Sequence, residues 1–192
     1  TISQIGAEIK GFAEGQQVFV APNWGCGNCR QCLSGNNNLC ASYQAIGVTL
    51  DGAFAEYLRI PAAAVRQGNV MSMDSLVDPV QVALIEPLAC VLRGQDALKI
   101  QPGEVVLVMG AGPIGILHIK LARLRGAGRV LVSEPVNERL QRALLLGADA
   151  GVNPVENSLH EFVLAETKSA GADVVIVAAP SHLAQEQALE VA

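Results

Sequence analysis

Two hydrophobic periodicities divide the chain. Up to about residue 80 the apolar positions come in short alternating runs broken by glycine. Gln17-Val18-Phe19-Val20-Ala21 is one such run. Ala53-Phe54-Ala55-Glu56-Tyr57-Leu58-Arg59-Ile60, ended by Pro61, is another, and both predict strands. From about residue 88 continuous apolar runs alternate with stretches of helical spacing. Residues 104–109 (EVVLVM) predict a buried strand, and residues 113–125 a helix with Ile114, Leu117, Leu121 and Leu124 on one side. Residues 129–133 (RVLVS) predict a second strand, and 137–146 a second helix closed by Gly147. A short strand over 151–153, a helix over 155–169 and a strand over 172–178 (ADVVIVA) complete the series. Such alternation predicts an α/β chain whose second part is a parallel, doubly wound sheet. The division falls between residues 1–87, rich in β structure, and residues 88–192.

Composition narrows the function classes. The chain has 192 residues, about half of them apolar, which suits one or two domains with ample core. Its net charge is −5 and its 13 basic residues are scattered, which argues against nucleic acid or an anionic membrane as partner. The longest apolar stretches, such as ADVVIVAAP, fall far short of the roughly 18 residues of a membrane span. No charged-then-apolar leader opens the sequence. Five cysteines, an odd number, together with that opening predict a reducing, cytoplasmic setting rather than a disulfide scaffold.

Four of those cysteines stand in GCGNCRQCLSGNNNLC, residues 25–40. Cys26, Cys29, Cys32 and Cys40 read C-x2-C-x2-C-x7-C. Two-residue gaps let thiolates converge on one centre, and the longer gap lets the chain turn back to close a tetrahedron. Gly25, Gly27 and Gly35 supply the tight turns that such wrapping needs. An iron–sulfur run of this type has a last gap of three residues followed by proline, whereas here the gap is seven and Ala41 follows. A redox C-x-x-C pair would leave two cysteines without a task. The spacing points to zinc, and four thiolates fill its coordination shell, so the metal is structural and the chemistry lies elsewhere.

The turn after the strand 104–109 carries the second motif. Gly110-Ala111-Gly112-Pro113-Ile114-Gly115 is G-x-G-x-x-G between a predicted strand and a predicted helix. In that setting the three glycines serve a tight turn, close approach of a pyrophosphate to backbone, and helix–strand packing. Pro113 stands near the helix start, where its missing N–H costs nothing, and the free N–H groups there face the pyrophosphate. Glu134 follows Gly115 at about the distance expected of an acid that binds ribose hydroxyls. Its other reading is an ordinary strand-end carboxylate.

These motifs, in this order, resemble the zinc-dependent medium-chain dehydrogenase/reductase family, most closely its polyol and threonine dehydrogenase branch. The similarity extends over DGAFAEYLRIP at 51–61 and EPLACVLRG at 86–94. It implies a partial GroES-like β-barrel with a structural zinc lobe, followed by a partial Rossmann domain. It also implies transfer of hydride from a secondary alcohol or polyol to NAD at a second, catalytic zinc, in a homo-oligomer (dimer or tetramer). The glutamate of the E-P-L segment, here Glu86, would be a ligand of that zinc or lie close to it. A basic residue at the position of Arg139 accompanies NAD binding in the family.

From the residues alone Glu86 has a second reading, as a glutamate at the edge of a linker helix, with Pro87 biasing it toward a bend. Cys90 reads as a small buried hydrophobe. His118, His160 and His182 lack a partner at ligand spacing and read as structural or surface residues. The family's catalytic zinc needs a further cysteine and a G-H-E segment, which the resemblance places before Thr1. The expectation is therefore a fragment of an alcohol or polyol dehydrogenase. A non-catalytic relative that keeps NAD as sensor or scaffold is the alternative, and a zinc-loop module for protein or nucleic acid is a weaker third.

Overall fold

The computed structural model describes residues 1–74 and 77–192. Backbone contacts divide them into two units, Thr1–Ala83 and Leu84–Ala192.

The first unit is built from short pieces. Strands β1 (Val18–Val20) and β2 (Asn23–Trp24) precede a single helical turn, α1 (Arg30–Leu33), and a 3-10 turn, Asn37–Leu39. Strand β3 (Gln44–Ala45), helix α2 (Ala62–Arg66), strand β4 (Val70–Ser72) and helix α3 (Pro79–Val82) follow. Two antiparallel ladders organise it. Strand β1 pairs with β4, Val20 opposite Val70, and β2 pairs with β3, Trp24 opposite Gln44. Trp24, Cys40, Ala45 and Ala64 are its buried apolar residues. Buried Asn69 ties the first ladder to the second: its amide donates to the carbonyls of Ala21 (3.1 Å) and Asn23 (2.7 Å).

The alternating run at 53–60 forms no strand. A strand needs a neighbouring edge for its N–H and C=O groups, and none of the described ladders includes this run. Phe54 and Tyr57, the aromatic members of the pattern, stand exposed.

The second unit follows the predicted alternation. Helix α4 (Ile85–Leu98) leads into β5 (Val105–Met109), α5 (Pro113–Leu124), β6 (Arg129–Ser133), α6 (Asn137–Leu145), β7 (Ala150–Val152), α7 (Leu159–Glu166), β8 (Val174–Val177) and α8 (His182–Val191). The four strands form one parallel sheet in the order β7-β6-β5-β8. Successive side chains of a strand point to opposite faces, and here both faces are covered. Val106, Val108, Val130 and Val132 pack with Ile119 and Ala122 of α5 and Leu140 and Ala143 of α6. Leu107, Met109 and Leu131 pack with Leu159 and Val163 of α7 and Val191 of α8. Each such fully buried side chain contributes about 1.5–3 kcal/mol through apolar burial. Strand β6 matches its predicted range, β7 is shifted back by one residue, and β5 and β8 are shorter than their apolar runs by one or two residues at an end; α7 is one turn shorter at its start because Ser158 caps it, accepting from Glu161 N–H.

One helical stripe differs from the sequence reading. On α5 the buried positions are Gly115, His118, Ile119 and Ala122, whereas Ile114 and Leu124 are exposed. The spacing is helical in both cases, but the small residues Gly115 and Ala122 let the backbone approach the sheet, and that selects the face. Among the described residues no helix is long and apolar enough to cross a membrane.

Candidate functional site

The cysteine loop wraps from the end of β2 to the start of β3. Cys29 is the N-terminal cap of α1, Cys32 lies on α1, and Cys40 ends the 3-10 turn. Chain reversal brings the sulfurs of Cys26, Cys29, Cys32 and Cys40 within 4.8 Å of one another. Cys29 Sγ stands 3.5 Å from Cys32 Sγ and 3.8 Å from Cys40 Sγ. Thiolates on one zinc, each about 2.3 Å from the metal, stand about 3.8 Å apart in a tetrahedron, so these residues fit the ion. Gly25 is required by closeness: a Cβ there would lie 2.4 Å from Cys32 Sγ. Backbone N–H groups of Cys26 and Ser42 donate to Cys40 Sγ, each at 3.3 Å, which fixes the sulfur at the buried corner.

Two thiols of the loop are pushed apart in acidity. Cys26 is lowered to about 6 by the hydrogen bond it receives from the Asn28 backbone and then by that from Cys29. For Cys32 the Gly27 backbone bond acts downward, but desolvation and the neighbouring thiols outweigh it and push the group up to about 11. A metal must therefore displace a proton from Cys32 at neutral pH.

The glycine turn lies at the carboxyl end of β5. The chain runs from β5 outward to β6 and β7, then returns to the other side of β5 with β8. The crevice at such a reversal is where open α/β sheets take ligands. Gly110 (φ +104°) faces the carbonyl of Ala178 at the end of β8, 3.0 Å from where a Cβ would stand. A Cβ on Gly115 would come 1.9 Å from the Gly110 carbonyl oxygen, so only glycine lets α5 start this close to the strand. Above Gly112 the space is open, and Pro113 occupies the first turn of α5. Ile114 is exposed beside it.

Glu134 follows the last residue of β6 and is 3 % exposed. Its carboxylate accepts from the Ala111 N–H of the glycine turn (2.7 Å) and from the Val136 N–H (3.0 Å). A carboxylate has about four acceptor positions, so these two bonds fix its place beside the turn and leave capacity for hydroxyl donors. Arg139 is exposed on α6 and makes no ion pair among the described residues.

Glu86 stands in the first turn of α4, not at a bend. Pro87 is tolerated there because the first N–H groups of a helix have no partner inside it. Cys90 is one helical turn further and is exposed, not buried; its Sγ lies 3.2 Å from Glu86 Oε1. The hydrogen bond to Glu86 raises the pKa of the Cys90 thiol, with desolvation and the carboxylate's charge acting the same way. The sequence reads this thiol as a buried hydrophobe because one cysteine among apolar neighbours gives no other signal. The four-residue step from Glu86 to Cys90, one turn of helix, is the signal that could have found it.

The histidines fall as read. His160 and His182 are exposed, and His118 is buried between α4 and α5. The Gln95 amide donates to the His118 carbonyl (2.9 Å) and lies 3.2 Å from its Nδ1. Burial lowers the pKa of this imidazole.

Comparison with known proteins agrees with both halves. Residues 1–69 match the family described as alcohol dehydrogenase GroES-like domain, and residues 113–192 match zinc-binding dehydrogenase. L-threonine 3-dehydrogenase of Pyrococcus horikoshii is 34% identical over 191 residues, 98% of this chain and 53% of that protein. Sorbitol dehydrogenase of Bacillus subtilis is 31% identical over 189 residues, 98% of this chain and 52% of that protein. The crystal structure of a zinc-binding dehydrogenase from Sinorhizobium meliloti 1021, bound to NADP, superposes with a TM-score of 0.88 at 35% identity. It is covered to 54% by 98% of this chain. The chain thus spans about half the length of the relatives it matches.

Proposed function

Because the chain belongs to the zinc-binding dehydrogenases of the alcohol dehydrogenase type, we propose that the protein of which it forms part oxidises a secondary alcohol or polyol with NAD. The observation that carries the reading is the bond between Glu134 and the glycine turn at the reversal of the sheet. It holds an acceptor group where an adenosine ribose would lie once its pyrophosphate rests on the start of α5. We assign Gly110, Gly112, Pro113, Ile114 and Gly115 to the pyrophosphate side of that site. Glu134 would take the ribose hydroxyls, and Arg139 would stand at its rim. A 2′-phosphate would set about two negative charges against this carboxylate, which favours NAD, although the Sinorhizobium relative was crystallised with NADP.

Cys26, Cys29, Cys32 and Cys40 would hold a structural zinc. Glu86 would serve a second zinc, directly or through water, and Cys90 beside it is the other group of metal-binding type on the same helix turn. When bound, that zinc would lower the pKa of the substrate hydroxyl while the nicotinamide accepts the hydride. The relatives named for threonine and sorbitol oxidation support this over a non-catalytic sensor. Cysteine usage supports a cytoplasmic setting, and the family resemblance a homo-oligomer.

In the full-length protein Glu86→Ala should lower turnover at least about 100-fold with dinucleotide affinity almost unchanged. Equal loss of both would assign Glu86 to packing. Titration with both dinucleotides should give tighter NAD, and Glu134→Ala should erase the preference; tighter NADP would reverse the cofactor assignment.

A further inference from the structure

The cysteine loop is held from outside by a residue that is not one of the four cysteines. Gln67 caps the C-terminal end of α2, 42 positions from Gly25 in sequence, and its Nε2 donates to the Gly25 carbonyl at 3.0 Å. The same amide lies across Gly27: a Cβ built there would meet its carbon at 3.3 Å, its Oε1 at 3.4 Å and its Nε2 at 3.5 Å. Gly25 and Gly27 flank Cys26, and Gly27 has a left-handed backbone (φ +82°). One planar side chain therefore grips both neighbours of a single ligand. That ligand is the exposed one, whereas Cys40 at the opposite corner is buried. A ligand in contact with solvent is the arm by which a closed tetrahedral site would open first.

We propose that Gln67 is a positioning residue of the four-cysteine centre, holding Cys26 in the coordination shell and so setting how slowly the metal leaves. The inference rests on the assignment of zinc to these cysteines. Groups that orient a metal's ligands commonly change affinity 10- to 100-fold when removed, and here the effect should fall on release. The hydrogen bond leaves the electronics of the sulfurs alone; what it removes is the freedom of the 25–27 segment to swing Cys26 outward.

The test measures zinc in the purified protein, then its release to excess chelator. Wild-type protein should hold one zinc at the cysteine loop, shown by loss of one equivalent in Cys29→Ser; no zinc there would overturn the metal assignment and the inference with it. Gln67→Met keeps the length and the packing on Gly27 but deletes the donor, and should release that zinc about tenfold faster. Gln67→Ala, which also loses the packing, should exceed it. Val20→Ala, which loosens β1 without touching the loop, should leave release unchanged. Unchanged release in Gln67→Met, or the same acceleration in Val20→Ala, would each overturn the role.

Discussion

His118 is an imidazole shut between two helices with only an amide for company. The Gln95 Nε2 that donates to the His118 carbonyl also lies 3.2 Å from Nδ1, which accepts from it when the neutral ring carries its proton on Nε2. Burial holds the pKa below its ordinary 6.5, so the unfolded chain takes up a proton before the folded one does. The stability this group contributes is complete above pH 6.5 and is lost as pH falls below it, with a slope of at most about 1.4 kcal/mol per pH unit. Denaturant titrations between pH 7.5 and 5 should show a steeper loss in wild type than in His118→Leu; parallel curves would mean that the ring is protonated freely in the folded state. At this scale the sequence is an uneven guide. Its cysteine spacing and its glycine turn each state their own geometry, because every residue in them is needed at a fixed distance. Cys90 and Gln67 gave no such signal: one is a thiol made notable by its neighbour one turn away, the other a polar residue whose partner is 42 positions distant.

Among the elements, the cysteine loop depends most on something outside its own backbone. It contains one helical turn, one 3-10 turn and no apolar core of its own beyond Cys40. Metal binding free energy in such a loop is folding free energy. Cys29→Ser should therefore abolish zinc binding at the loop and lower the melting temperature of the first unit, while dinucleotide affinity stays as in wild type. Full metal content with an unchanged melting temperature would remove zinc from the loop. Elements that carry their own periodicity, β5 through β8, were legible to within a few residues because each buries a face against a packed neighbour. Residues 53–60 have the same quality of pattern and still form no strand, since a strand is completed only by a partner edge, and periodicity cannot report whether one is there. On α5 the helix was legible but its inner face was not, because small residues chose the contact.

At the scale of the whole molecule the two units have separate means of stabilisation. The second has two apolar layers on a four-stranded sheet; the first has two short ladders and the cysteine centre. Ligands should therefore act locally. In hydrogen exchange, stripping zinc should raise exchange over residues 18–45 and leave 105–133 as they were. Added NAD should slow exchange at 110–115 and 134–137 without affecting the cysteine loop. Changes that spread across both units in either experiment would mean that the two fold as one cooperative body.

The compactness of the cysteine loop in sequence bears on the order of events during synthesis. All four ligands have left the ribosome once residue 40 and its successors are out, and closing so short a loop takes far less time than adding one residue. Gln67 emerges about one to five seconds later at ordinary rates of translation. Where zinc is at hand it would thus be captured by a nascent chain that cannot yet grip the turn around Cys26, and the late-arriving amide would seal a centre already loaded. A chain made while zinc is scarce meets the opposite sequence: the grip forms around empty thiols, and loading must wait for it to open.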